Sequence, residues 1–270
     1  MLVCSEKDLA SQTIHQALIE EHGFRDTGDL FEGNPVYRRG DMLLITTNRD
    51  LIYCEHLDEH FEAEAFVFCS RHRSESGRPA LLVHSTGNFA TDVSLGGLPE
   101  TLSFSAPSLV SVALRTLYEQ QQMRGLDEFD VTLEVTHHGP TGLKTPLVFV
   151  ELGSTETHWA DREGASAVAE AIVACGSSPM GTSSAVGFGG PHYASKFTKL
   201  VLGGSYNIGH IASKHVLDAI SPDVVKQMVR KSADATRVAL IDWKGTSAVQ
   251  RERFLPVLDE IGLEVVRAHH

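Results

Sequence analysis

The chain has 270 residues, 42% of them hydrophobic, enough to bury a substantial core without disulfides or a structural metal. Its formal charge of −12 excludes a protein that coats nucleic acid by bulk charge, but not an enzyme that grips one nucleic-acid end in a local basic pocket. There is no apolar run of membrane-spanning length and no signal-peptide pattern at the N-terminus, so a soluble cytoplasmic protein is expected.

In chain order, residues 1–4 predict a strand and 8–22 a helix, with Leu9, Ala10, Ile14, Ala17 and Leu18 near helical spacing. Segments 42–47 and 51–56 read as β-rich runs, and the turn between them suggests a hairpin. The stretch 29–60 is the least periodic and reads as an insertion or lid. Two apolar strands follow, 65–70 and 79–84, then a helix over 107–123 opened by Pro107 and closed near Gly125. In 131–135, Val131, Leu133 and Val135 share one strand face, and 147–152 is a continuous apolar run suited to a central strand. Asp161 caps a helix running to Cys175. Beyond it come a glycine-rich strand and loop over 185–192, a short strand at 200–202 and a helix over 208–217. A helix opened by Ser221-Pro222, a strand at 238–242, a helix over 247–261 and a last strand at 263–266 complete the chain. This alternation predicts an α/β fold, a three-layer α/β/α sandwich around a mixed sheet, in one domain over 1–270.

Cys4, Cys54, Cys69 and Cys175 form no CxxC pair and are expected to be buried, reduced thiols. There is no P-loop, no GxSxG elbow and no GxGxxG after a strand. Histidine is the informative residue: there are 14, many beside glycine at the ends of apolar runs. His137-His138-Gly139-Pro140-Thr141 follows a strand. Neighbouring strand residues point to opposite faces, so both imidazoles share one site only if the Gly-Pro turn swings one back. Glu151 ends an apolar strand, where an ionised carboxylate needs a partner. Gly187-Phe188-Gly189-Gly190 lets backbone approach a ligand and offers N–H groups for an oxyanion, with His192 and Tyr193 presented from the same loop. His210 is placed at a helix start, which would keep it neutral and able to ligate. His84, with Asn88 nearby, and His72 follow two further apolar runs. None of these fits HExxH or a structural zinc spacing, so the residues support a hydrolase with imidazole and carboxylate ligands and no more. On chemistry alone His137, His138, Glu151 and His192 are the catalytic candidates, and His84, His138, His192 and His210 the metal ligands. Arg71, His72, Asn88, Thr141, Gly189, Gly190, Tyr193 and Lys196 are the substrate-binding candidates. Arg73, Arg78, Lys199 and Lys214 are further basic-pocket candidates.

Seven motifs then occur in order: Ser70-Arg71-His72-Arg73-Ser74, His84-Ser85-Thr86-Gly87-Asn88, Thr136 to Thr141, Phe149 to Ser154, Gly187 to Tyr193, Gly209-His210-Ile211 and Asp242-Trp243-Lys244-Gly245. Together they resemble the archaeal and plant D-aminoacyl-tRNA deacylases over nearly the whole chain. The resemblance implies hydrolysis of the ester between a D-amino acid and the tRNA 3′ end. It also implies zinc, two ions per subunit, and the phosphorylase/hydrolase-like fold class of peptidyl-tRNA hydrolases and zinc carboxypeptidases. The expected partner is D-aminoacyl-tRNA, not DNA or membrane, and the expected state a monomer. Two departures stand out: Pro191 replaces a glycine before His192, and Thr246-Ser247 stands where the family has Leu-Lys. The competing readings are a zinc peptidase or amidohydrolase, a nucleoside phosphorylase, and a non-enzymatic RNA-end-binding protein.

Overall fold

The computed structural model describes residues 1–268; His269 and His270, which carry no assigned role, lie outside them. The chain folds as α/β with two sheets. β1 (Leu2–Ser5) and α1 (Leu9–His22) come first, as expected, with Asp8 capping the helix through Ser11 N. Three strands follow: β2 (Arg25–Phe31), β3 (Asn34–Arg39) and β4 (Met42–Thr47). β2 and β3 form a hairpin that the sequence does not announce, because its residues are mostly exposed and show no alternation. Much of the stretch read as an insertion or lid is thus a meander extending the sheet. The predicted strand over 51–56 instead holds one 3-10 turn, Leu51–Tyr53, with a second, Leu57–Glu59, directly after it, since a short apolar run does not distinguish strand from helical turn.

β5 (Phe66–Arg73), β6 (Ala80–His84), α2 (Pro107–Arg124), β7 (Asp130–Leu133) and β8 (Leu147–Ser154) follow, then the short α3 (Glu156–Trp159) and α4 (Arg162–Gly176). Strands β2-β3-β4-β1-β5-β8-β6-β7 make an eight-stranded mixed sheet. β1, β5 and β8 run parallel, and direction reverses between β8 and β6. The second half adds β9 (Ser183–Phe188), α5 (Ser195–Leu202), β10 (Ile208–Ala212), α6 (Pro222–Arg230), β11 (Ala235–Ile241), α7 (Ala248–Glu260) and β12 (Glu264–Arg267). Its sheet, β10-β9-β11-β12, is all parallel. Two predicted elements are corrected here. Residues 200–202 finish α5, where Phe197 and Val201 are buried at helical spacing. Residues 208–212 are a strand, buried at every position and therefore without a readable period.

The sheets are covered unequally. α1, α2 and α4 pack on one face of the large sheet, over Val67, Cys69, Val83, Val150 and Leu152. Its other face carries a core of Phe66, Phe68 and Phe149 under the 3-10 turns and loops. Helices flank both faces only of the four-stranded sheet, with α6 and α7 opposite α2. The expected mixed sheet is present, and the expected three layers are complete at the four-stranded sheet. The face of the large sheet without helices carries Ser70, His72, His84 and Glu151, which an apolar helix could not cover without cost. All four cysteines are free and buried, as expected. Among the described residues no helix is long and apolar enough to cross a membrane.

Candidate active site

Strand register builds the site. Ser70 pairs with Glu151, Glu151 with Leu82, and Phe149 with His84, so His72, Glu151 and His84 share one face. Val83 pairs with Leu133; the next residues, His84 and Glu134, therefore meet on that same face. The cluster straddles the line where strand direction reverses. A Cβ at Gly153 would sit 2.6 Å from the His72 Cβ, so the bare backbone there makes room for the imidazole.

His138 takes a left-handed φ of +46°, which turns its ring back beside that of His137. The ring centroids lie 4.5 Å apart, and both approach His84, at 4.4 and 4.9 Å. Both imidazoles thus face one site, and the redirection happens at His138 itself. His192 arrives from the loop after β9 with its Nε2 2.9 Å from Glu134 Oε1. His72 Nδ1 lies 3.5 Å from Glu134 and 3.6 Å from Glu151; His84 Nε2 lies 3.6 Å from Glu151. The Tyr193 hydroxyl meets His72 Nε2 at 3.0 Å. A cleft of about 480 Å³ opens above, bounded by Asp50 to Tyr53, Arg71, Arg73 and Leu95.

The donor set can hold a metal ion. Ligand atoms of three overlapping groups lie within 4.8 Å of one another: His84, His137 and His138; Glu134, His137 and His192; His72, Glu134 and Glu151. Nδ1 of His84, His137 and His138 donates to the carbonyls of Ser85, Val135 and Gly139, at 3.2, 2.8 and 2.6 Å. Those bonds fix the tautomer and leave each Nε2 lone pair for a ligand, the usual support of a metal-bound histidine. Among the described residues, neither Glu134 Oε2 nor His84 Nε2 has a hydrogen-bond partner, and Glu134 Oε1 has only His192 Nε2, close at 2.9 Å but out of line for a hydrogen bond. Such orphaned acceptors are rare and costly, and a cation would satisfy them.

Electrostatics divide the group: burial opposes charge on His84, but Glu151 and Glu134 outweigh it and raise its pKa, whereas the other two imidazoles are lowered. Burial, with the neighbouring His84 and His138, holds His137 well below the usual imidazole range; burial and His84 lower His138 to about 4. Both are then neutral, the form that ligates. Burial would raise the Glu134 carboxyl, but His192 and His72 outweigh it and hold it ionised. Burial likewise opposes charge on His72, and the two carboxylates overcome it, raising it to about 11.

Residues 59–266 match the family described as D-aminoacyl-tRNA deacylase. The chain belongs to this family. The D-aminoacyl-tRNA deacylases of Thermococcus onnurineus (strain NA1) and Pyrococcus horikoshii (strain OT-3) are each 35% identical to it, over 275 and 277 residues, covering 99% of both chains. The crystal structure of AF0625, a conserved protein of unknown function, is 32% identical, with a TM-score of 0.90 over 99% of this chain and 94% of that one.

Within this deacylase-family chain the expected site residues divide. His84, His137, His138, Glu151, His192 and Tyr193 converge. His72 joins them as a buried partner of two carboxylates, not as a surface contact for substrate. His210 stays apart: it sits mid-strand in β10, with Nδ1 at Thr136 Oγ1 and Nε2 at the Ser103 carbonyl, and burial lowers it to about 4. Its expected place as a metal ligand rested on a helix that is not there. Gly189 and Gly190 donate their N–H groups to the Ala212 and Gly245 carbonyls, so they cannot form the expected oxyanion hole. Lys196 pairs with Asp242. Arg71 spans the Lys7 carbonyl and Asp50.

Asn88 and Thr141 hold the cleft rim together instead of lining it. The Asn88 amide donates to the Gly96 and Leu98 carbonyls, and Thr141 Oγ1 accepts from Leu98 N. A Cβ at Gly139 would fall 2.4 Å from Gly97 N and 2.5 Å from the Ile52 carbonyl oxygen, both backbone atoms. Gly139→Ala is therefore expected to lower stability by about 1–3 kcal/mol, read by urea denaturation, because three rim segments must part. Unchanged stability would show that the rim is looser than its packing.

Glu134 is the residue that the sequence reading passed over. Its signal was present: if Val131, Leu133 and Val135 share the core face, Glu134 must point the other way, three residues before His137.

Proposed function

We propose that the chain hydrolyses the ester joining a D-amino acid to the tRNA 3′ end, releasing the free amino acid and tRNA with its ribose hydroxyl restored. The observation that carries this reading is the convergence of five imidazoles and two carboxylates in one cleft of a deacylase-family chain. We take the cofactor to be zinc: imidazole and carboxylate donors with tautomers set by backbone carbonyls suit it. Three overlapping donor groups support two ions, with His84, His137 and His138 holding one and Glu134, His72 and Glu151 available to the other. Bound there, zinc supplies a Lewis acid and lowers the pKa of water.

The protein's own groups do the rest. His192 is the imidazole at the mouth of the cluster, its side chain 48% exposed, and Glu134 braces it from behind. It is placed to take a proton from water and return one to the leaving ribose oxygen. Tyr193, anchored by His72, presents its hydroxyl beside it. Arg73 stands exposed on the rim, where a terminal phosphate would pass. Tyr53 and Leu95, also exposed there, suit the apolar parts of the substrate. Selection of the D-enantiomer would follow if this rim excludes the L side chain. The parallel β1-β5-β8 core with its helical layer supports placement in the phosphorylase/hydrolase-like class.

The test is deacylation of D- and L-tyrosyl-tRNA with and without a chelator. The D-ester is expected to be cleaved and the L-ester spared. Chelation should slow cleavage about 100-fold or more, with zinc restoring it. Cleavage of neither ester would remove the function, and full activity after chelation would remove the metal.

A further inference from the structure

A second, polar cleft of about 520 Å³ lies beyond the carboxyl ends of β10 and β11, bounded by Lys214, His215, Asp218, Lys244 and Ser247. In parallel sheets that end is where ligands bind. Lys214 and Lys244 are exposed, and neither enters an ion pair among the described residues. The carboxylates close by are engaged: Asp218 accepts from the Gln250 amide at 3.0 Å, and Asp242 pairs with Lys196. Two ammonium groups that line one cleft with a single carboxylate, Asp218, and enter no ion pair among the described residues are notable in a chain of net charge −12.

The backbone that carries them is tied to the active site through one residue. Lys214 N donates to the Gly190 carbonyl at 2.9 Å, and Gly190 N donates to the Gly245 carbonyl at 3.2 Å. His192 follows two residues later. A Cβ at Gly245 would lie 2.7 Å from Gly190 N, so the two loops interlock. Trp243 is gripped on its ring by two guanidiniums, Arg251 at 4.2 Å and Arg267 at 4.1 Å. Arg251 also donates to the Trp243 and Thr246 carbonyls. The Lys244 turn is thus held stiff while its ammonium stays in water, a preorganised arrangement for an anion.

We propose that Lys214 and Lys244 form a docking surface for the sugar–phosphate backbone of the RNA whose 3′ end reaches His192. This rests on the deacylase reading: an ester at the RNA terminus puts phosphates within a few nucleotides of the cluster, and Gly190 joins the two places. Lysines there position the chain without reading its sequence.

The double variant Lys214→Gln/Lys244→Gln tests it, with Lys226→Gln on α6 as a charge control. The substrates are D-tyrosyl-tRNA and 3′-D-tyrosyl-adenosine, which has no phosphate. KM for the tRNA ester is expected to rise about tenfold with kcat retained, and the salt dependence of log KM to flatten by about 1–2 units of slope. The adenosine ester should be cleaved as by the parent. Equal change on both substrates, or none on either, overturns the proposal. If the parent cleaves neither ester the deacylase reading falls, and anisotropy with an uncharged acceptor minihelix decides the surface alone. Weakened binding and a shallower salt slope in the double variant support it; unchanged binding overturns it. Inorganic phosphate binding the parent as tightly as the minihelix marks a small-anion site and also overturns it.

Discussion

Glu134→Gln is expected to reduce kcat/KM for D-aminoacyl-tRNA about 100-fold or more while leaving the metal-free protein about as stable as the parent. Glu134 is 1% exposed, and among the described residues neither oxygen has a partner in line for a hydrogen bond. It nevertheless lies 2.9 Å from His192, 3.5 Å from His72 and 4.0 Å from His137. Burying the carboxylate costs several kcal/mol of hydration, and the imidazoles beside it offset that cost, so folding alone gains little from it. Glutamine keeps the shape and removes the charge. It relieves that cost, but it no longer braces His192 or balances a cation. Thermal melting with and without zinc separates the two effects. The parent should gain a rise in Tm with zinc that the variant largely lacks, since a ligand stabilises only the state that binds it. Parental activity in the variant would remove Glu134 from the site. A lower Tm without metal would mean that it serves the fold after all.

The second large effect lies away from the cleft. Asp234→Ala is expected to destabilise the fold by about 1–3 kcal/mol, the cost of leaving the buried Ser108 N–H unpaired, since the Gly181 and Thr182 donors lie on exposed residues that water can reach. Asp234 is 3% exposed and accepts four hydrogen bonds, from Ser108 N and Oγ at 2.6 and 2.7 Å and from Gly181 N and Thr182 N at 2.6 and 2.8 Å. α2 begins at Pro107 after Ala106, which has no side-chain oxygen to cap it. Asp234 supplies the cap from 126 residues away and brings negative charge to the helix N-terminus. Urea denaturation measures the loss, and Asp234→Asn should recover part of it, because its carbonyl still accepts. Asp234 precedes β11, whose far end leads to Asp242, so activity per folded molecule should hold. A loss below about 1 kcal/mol would show that these bonds are dispensable.

The two residues mark the limits of a linear reading in different ways. Glu134 was legible, because strand alternation dictates that it faces away from Leu133 and Val135. It was passed over because a lone carboxylate after an apolar run resembles a strand end. Asp234 was not legible at all, because nothing near it in sequence accounts for its partners. The helices show the same division. Asp8, Asp161, Ser221 and Ser247 cap theirs by hydrogen bonds three residues long, and all four starts were readable. The β2–β3 hairpin and β10 carried no usable period, one because it is mostly exposed and the other because it is wholly buried.

By itself the sequence determined the family, the α/β class, the capped helices and the histidines of the cluster, because motif, cap and period are local quantities. Tertiary structure alone decided three things. Register put His72, His84, Glu134 and Glu151 on one sheet face, and a left-handed residue put His138 beside His137. Contacts across the fold withdrew His210, Gly189 and Gly190, because their hydrogen-bonding groups meet protein partners distant in sequence. Residue type limits what a side chain can donate or accept; its neighbours in space decide whether that capacity is left for a substrate or an ion.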